Sequence, residues 1–266
     1  MDEITEEDNV TRRDFLDKAL RSGVGVALVI VAGETVLLMP KAGAQESNQV
    51  QLDERYDPRK HRYVYLIDVT KCIGCGACVR ACEIENDVPA HHFRTWIERY
   101  AVSRTGNVAI DSPNGGRDGF DAVVSGDDVT KSFFVPKMCN HCTSTPCVQL
   151  CPVGASFISP DGVVLVDEKR CIGCSYCVQA CPYGSRFIHP ETHTAAKCTL
   201  CYHRITKGLL PACVQACPRG VRKFGDTKAL HDEVSEIIAT REVHILKPEL
   251  RTEPNCYYVG IGKEVR

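Results

Sequence analysis

Apolar and polar positions form only a few short, ordered patterns along this 266-residue chain. Tyr63-Val64-Tyr65-Leu66-Ile67 is a compact apolar run, rich in aromatic and β-branched residues, and predicts a strand. Phe93-Arg94-Thr95-Trp96-Ile97-Glu98-Arg99-Tyr100 alternates and predicts a second. A turn-rich segment follows from Asp111 to Gly119, and Phe133-Phe134-Val135 predicts a further short strand. Ala155-Ser156-Phe157-Ile158 and Val163-Val164-Leu165-Val166 flank Asp161-Gly162, which is a hairpin signal. Residues 227–239 predict a short amphipathic helix. The polar stretch 45–60 and the tail through Arg266 read as extended arms. Strands and helices mixed in this way predict an α+β fold, and the length suits one large domain or two small ones.

The first 44 residues follow a different logic. Thr11-Arg12-Arg13-Asp14-Phe15-Leu16 resembles the twin-arginine export motif, with Arg12 and Arg13 as the pair. A modestly apolar stretch, Val24 to Met39, follows, and then the small-x-small pattern Ala42-Gly43-Ala44, so cleavage is expected after Ala44. The competing reading is an uncleaved anchor. The stretch includes Glu34, and a span needs roughly 20 mostly apolar residues. The expected location is therefore the periplasm or the extracytoplasmic face of the membrane. No later run reaches that length, so no span is expected in the mature chain. The formal net charge of −2 shows no chain-wide pull toward nucleic acid or anionic lipid.

Seventeen cysteines change the picture most. Sixteen fall into four runs. Run I is Cys72, Cys75, Cys78 and Cys82, spaced C-x2-C-x2-C-x3-C, and run III repeats that spacing with Cys171, Cys174, Cys177 and Cys181. Run II is Cys139, Cys142, Cys147 and Cys151, and run IV is Cys198, Cys201, Cys213 and Cys217. Runs I and III match the bacterial ferredoxin ligand pattern, in which a tight loop brings three thiolates to one cluster and the fourth cysteine points to another. Gly74, Gly76 and Gly173 relieve crowding where backbone passes a cluster, and the fourth cysteine is expected at the start of a helical segment. Pro152, Pro182 and Pro218 turn the chain after the fourth cysteine, whereas run I has Glu83 there.

Three other chemistries compete for so many thiols. Zinc also takes four thiolates, but normally as two separated pairs. Disulfides suit an exported chain, yet bridges across such short spans meet restrictive geometry. Covalent haem needs C-x-x-C-H, and the residues after the four pairs are Gly76, Thr143, Ser175 and Tyr202.

The segments MCNHCTSTPCVQLCPVGA, CIGCSYCVQACPYGSRF and KCTLCYHRITKGLLPACVQACPRGVRKFGD, with the tail LKPELRTEPNCYYVG, resemble one family. It is the four-cluster iron–sulfur subunit of polysulfide, dimethyl sulfoxide and formate-dependent nitrite reductases and related membrane complexes. The resemblance implies tandem bacterial (8Fe–8S) ferredoxin-like units, one from runs I and IV (61–138 and 190–226, with the β-rich insertion 83–138) and one from runs II and III (139–189). The helix and arm 227–266 follow. It also implies four [4Fe–4S] clusters. Cluster 1 takes Cys72, Cys75, Cys78 and Cys217; cluster 2 takes Cys198, Cys201, Cys213 and Cys82. Cluster 3 takes Cys139, Cys142, Cys147 and Cys181; cluster 4 takes Cys171, Cys174, Cys177 and Cys151. The implied partners are an integral membrane subunit that handles quinone and a catalytic subunit, molybdopterin-dependent or otherwise redox-active. No catalytic residue is expected on this chain. The alternative is a freely diffusing periplasmic carrier.

The remaining candidates read more plainly. His91 and His92 lie on the insertion without ligand spacing, and His141 and His203 sit beside cluster ligands, where packing is the favoured role. Cys256 reads as a buried small hydrophobe. Arg80 and Lys71 are placed to neutralise cluster charge or to face solvent.

Overall fold

The structure is a computed structural model that describes residues 27–31, 34–38, 56–121 and 129–265. It separates into two units, Met1–Gln49 and Val50–Arg266. In the first, β1 (Ala27–Val31) pairs antiparallel with β2 (Glu34–Leu38), with Ala27 opposite Leu38. Both are rich in β-branched residues, which favour extended backbone. Arg12, Arg13 and Ala44 lie outside the described residues. Among the described residues no helix is long and apolar enough to cross a membrane.

The second unit is built around β3 (Tyr63–Asp68), all six residues of which are buried. Because side chains alternate along a strand, Tyr63, Tyr65 and Ile67 enter the main core while Val64 and Leu66 face the opposite way. There they meet Val234 of α6 (Glu233–Thr240), the helix predicted over 227–239. Its start is set by Asp232, whose carboxylate accepts the Ser235 N–H at 2.8 Å.

A strand buried on both faces needs partners at both edges. On one side β11 (Arg222–Asp226) pairs antiparallel, with Phe224 opposite Tyr65. On the other, β12 (Cys256–Val259) pairs parallel, with Cys256 opposite Tyr65. The tail is therefore an integral edge of the central sheet, where the sequence suggested an extended arm. Burial of Cys256 and Tyr258 explains the difference, since their alternation matches a strand with one face on the core. At the other end, Tyr56 donates to buried Asp161 at 2.5 Å and His61 meets Asp226 at 2.7 Å, which ties down the end of the polar stretch 45–60 and the residue after it.

The insertion is a sheet in the order β5 (Val108–Asp111), β4 (Thr95–Ser103), β6 (Val129–Met138). β6 is far longer than the apolar triplet Phe133–Val135, because it pairs along all of β4 through backbone bonds that side-chain polarity does not prevent. It delivers the chain to Cys139. The predicted hairpin is β7 (Ser156–Ile158) with β8 (Val164–Val166), and a second, β9 (Arg186–Ile188) with β10 (Ala195–Lys197), follows run III.

Five further α-helices among the described residues are short. α1 (Ala77–Asn86) carries Cys78 and Cys82, α2 (Pro146–Gln149) Cys147, α3 (Tyr176–Gln179) Cys177, and α5 (Ala212–Gln215) Cys213; α4 (Tyr202–Ile205) follows Cys201. The third cysteine of each run thus lies on the helix. The fourth comes after its end, or in α1 within it, rather than at a helix start. The x3 spacing spans one helical turn, a rise of about 5.4 Å, so the two thiols stand at different levels. α1 packs on α5 and α2 on α3, which brings run I to run IV and run II to run III.

Candidate metal centres

The sixteen thiols regroup across the runs. Cys72, Cys75 and Cys78 line one cavity with Cys217. Cys198, Cys201 and Cys213 line a second with Cys82, walled by Tyr65, Asn86 and Met138. Cys171, Cys174 and Cys177 line a third with Cys151. Cys142 lies in the field of Cys139, Cys147 and Cys181. All seventeen cysteines are unbridged. Among the described residues no three His, Cys, Asp or Glu side chains close on a single ion. Four thiols that converge from two runs without closing on a single ion suit a cage of several atoms better than one zinc ion.

Local backbone shapes these cages. Gly173 has φ +68°, and a Cβ there would lie 2.4 Å from the His193 carbonyl oxygen, so only glycine lets the loop lie this close. Amide groups aim at sulfur: Val221 N–H at Cys217 Sγ (3.3 Å), Ser156 at Cys151 (3.4 Å), Ala195 at Cys171 (3.3 Å) and Leu200 at Cys198 (3.4 Å). At Cys151 burial raises the thiol pKa, but the N–H groups of Ser156, Val153, Ala155 and Gly154 outweigh it and hold the pKa below the ordinary value. Deeper thiols behave oppositely. Burial pushes Cys72 up to about 11 and Cys142 up to about 12, and raises Cys82 and Cys198 well above the ordinary value. Metal loading must therefore displace protons from these sites.

The remaining sequence candidates now have defined surroundings. Lys71 pairs with Asp68 at 3.1 Å, and Arg80 donates to the carbonyls of Arg117 and Cys75. Both brace loops instead of facing a cluster. His141 is buried, its Nδ1 accepts the Val164 N–H at 3.0 Å, and burial holds its pKa well below the ordinary value. His203 meets Glu85 at 2.6 Å, and the His92 ring packs at a tilt against Phe187. Cys256 is 1 % exposed and burial pushes its thiol up to about 12, as suits a small apolar residue. Cys256→Ala should leave the iron and sulfide per chain unchanged and lower stability by about 1 kcal/mol, measured by elemental analysis and anaerobic denaturation. Unforeseen from the sequence are the cations Arg186, Lys197 and Arg222, buried more deeply than Arg99 and Lys137, which pair with the carboxylates of Asp111 and Glu98. The two arginines carry a sequence signal, since Cys181-Pro-Tyr-Gly-Ser-Arg186 and Cys217-Pro-Arg-Gly-Val-Arg222 share one pattern; Lys197 carries none.

Two overlapping segments, residues 71–155 and 130–227, each match the description "4Fe-4S dicluster domain". The chain is 41% identical over 250 residues to a tetrathionate reductase subunit of Salmonella typhimurium, covering 92% of this chain and 90% of that one. It is 37% identical over 185 residues to the thiosulfate reductase electron transfer subunit PhsB of Salmonella typhi, covering 69% and 85%. It is 33% identical over 245 residues to the Hdr-like menaquinol oxidoreductase iron-sulfur subunit 1 of Archaeoglobus fulgidus, covering 77% and 86%. The chain belongs to this family of 4Fe–4S dicluster electron-transfer subunits. The dicluster family supplies the reason for the cages: an iron–sulfur cluster accepts and releases one electron with little movement of its ligands. The residues fit such a group, since the sulfurs are in place, amide donors point at them, and glycine clears the approach. What remains for the protein is to hold the sulfurs, exclude water and set the local charge.

Proposed function

We propose that this chain relays electrons through four [4Fe–4S] clusters within an exported, membrane-associated oxidoreductase complex. The supporting observation is the regrouping of the thiols, in which each set takes three cysteines from one run and the fourth from another. Cluster 1 is held by Cys72, Cys75, Cys78 and Cys217, and cluster 2 by Cys198, Cys201, Cys213 and Cys82. Cluster 3 is held by Cys139, Cys142, Cys147 and Cys181, and cluster 4 by Cys171, Cys174, Cys177 and Cys151. Within these sets only Cys75 and Cys174 are exposed, and exposed Ile73 and Ile172 stand beside them. Electrons therefore enter and leave at the cluster 1 and cluster 4 ends, and clusters 2 and 3 lie between. The partners are a quinone-handling membrane subunit and a catalytic or further redox subunit. The relatives' names, reductases and a menaquinol oxidoreductase, support that assignment. The Arg12-Arg13 motif and Ala42-Gly43-Ala44 support export by the twin-arginine route to the outer face of the membrane.

Anaerobic purification of the native protein tests this reading. The expected product is brown, with about sixteen iron and sixteen sulfide per chain, and is recovered from detergent-solubilised membranes together with a quinone-reactive subunit. Colourless, zinc-loaded protein would reject the clusters. Recovery of all the protein as a free soluble monomer that still cycles between redox partners would replace the complex with a diffusing carrier.

A further inference from the structure

Three cationic side chains are almost completely removed from water: Arg222 and Arg186 are 2 % and 5 % exposed and Lys197 is 1 % exposed. Burying a cation without a partner is costly, so a counter-charge is required. Their strongest ionisable neighbours include no carboxylate; they are mainly the cluster cysteines.

The cysteines concerned come from different sets in each case. Arg222 lies in the field of Cys78, from the first set, and of Cys213, from the second. It lines the space of the first set. Its Nη2 donates to Thr95 at 2.7 Å and its Nη1 to Met138 Sδ at 3.7 Å, and those two residues line the space of the second set. Lys197 donates to the carbonyl of Cys198, from the second set, and lies in the field of Cys139 and Cys147, from the third, of Cys198, and of the like-charged Arg186. Arg186 lies in the field of Cys147 and Cys139, from the third set, and of Cys177, from the fourth. Its Nη1 donates to Ser156 at 2.9 Å, which lines the space of the fourth set. Arg222 Nε and Arg186 Nε and Nη2 are buried without any hydrogen-bond acceptor. Buried N–H groups left in this state call for an unseen acceptor, and cluster sulfur is the one at hand.

We infer that Arg222, Lys197 and Arg186 are inter-cluster cations, one in each gap of the series 1–2–3–4, each holding up the reduction potentials of the two clusters it separates. Adding an electron to a cluster adds negative charge. A fixed positive charge in a low-dielectric interior favours the reduced form on both sides of the gap. The arrangement also explains the shared C-P-x-G-x-R pattern. The position five residues after the fourth cysteine points into the gap, and in run II the same position is Ser156, which receives Arg186. These are positioning residues, acting on the clusters through charge and not as ligands.

The inference rests on the four-cluster reading, and the iron and sulfide content of the unmodified protein tests that reading separately. The test is a potentiometric titration of the anaerobically purified full chain, followed by electron paramagnetic resonance. Arg222→Met keeps an unbranched side chain and removes the charge. It should disfavour reduction of two of the four signals by at least tenfold, about 59 mV for one electron. Arg186→Met should lower the other two, and Lys197→Met one from each pair. Arg222→Lys and Arg186→Lys should restore most of the loss. This overlap reads out the cluster order without prior assignment of any signal. Variants at full iron content with unmoved potentials would overturn the inference, as would a signal lowered by both arginine variants. Should Arg222→Met fail to load iron, Arg222→Gln carries that arm. Should that fail too, the Arg186 and Lys197 variants decide it, because they must share one lowered signal and only one.

Discussion

Cys82→Ala should abolish a cluster that the rest of its own run does not help to build. Cys82 sits within α1, next to Cys78 in the turn before, and proximity in sequence would assign both to one site. The structure instead places Cys82 in the wall shared by Cys198, Cys201 and Cys213, with Asn86 Nδ2 reaching both Cys82 Sγ (3.5 Å) and Cys201 Sγ (3.6 Å). The expected loss is about four of sixteen iron per chain, with one paramagnetic signal missing and three retained. A double-mutant comparison settles which one. Cys82→Ala combined with Cys198→Ala should lose no more iron than either alone, because both remove the same cluster. Cys82→Ala combined with Cys72→Ala should lose about twice as much. The reverse pattern would show that run I closes on itself and would remove the crossed assignment. Stability should fall as well. A cluster held by residues more than a hundred positions apart acts as a cross-link between the chain's halves, and metal-binding energy is folding energy when no site exists in the unfolded chain.

Much of this was legible in the cysteine spacing, and the reason is geometric. A loop of two residues between thiols, tipped with glycine, leaves few alternatives for what it can surround, so Cys72-x2-Cys75 and Cys171-x2-Cys174 announce their chemistry locally. The hairpin around Asp161-Gly162 was legible for the same reason, since a turn is specified by adjacent residues. The features that escaped depend on distant partners. Cys256-Tyr257-Tyr258-Val259 looks like any short apolar patch, and it becomes a strand only because β3 has a free edge. Arg222 and Arg186 look like surface residues until the thiols around them are known. Asp161 reads as a turn residue, yet it is completely buried and accepts from Tyr56 and Tyr202, which ties the run II–III hairpin to run IV and to the residues before β3. A charged residue in a sequence carries no mark of its counter-charge: the repeated C-P-x-G-x-R pattern singles out Arg186 and Arg222, but what they face is visible only in three dimensions.

Gly76→Ala should be among the most destabilising single-methyl additions in the chain, for a reason confined to backbone. Gly76 closes the run I loop at φ +73°, a conformation that costs an ordinary residue about 1 kcal/mol or more. Its carbonyl oxygen accepts from Val79 (3.0 Å) and Arg80 (3.1 Å) and so starts α1. A Cβ there would stand 2.1 Å from the Arg117 carbonyl oxygen and 2.6 Å from that of Gly116. Neither atom is the end of a flexible side chain. The insertion would have to lift off the loop, taking with it the Arg80 bond to the Arg117 carbonyl and the Arg117–Glu83 pair at 2.5 Å. The expected cost is about 2–4 kcal/mol, measured by anaerobic denaturation of the cluster-loaded protein, with faster loss of the signal nearest Cys75. Gly154→Ala is the control. Gly154 has φ +64° and nothing within 4 Å of its would-be Cβ, so it carries the conformational cost alone, about 1 kcal/mol. Equal destabilisation by the two variants would show that the insertion does not rest on the run I loop. A larger effect at Gly76 would identify that contact as what shields the edge of the cluster 1 site while Cys75 stays open to a partner.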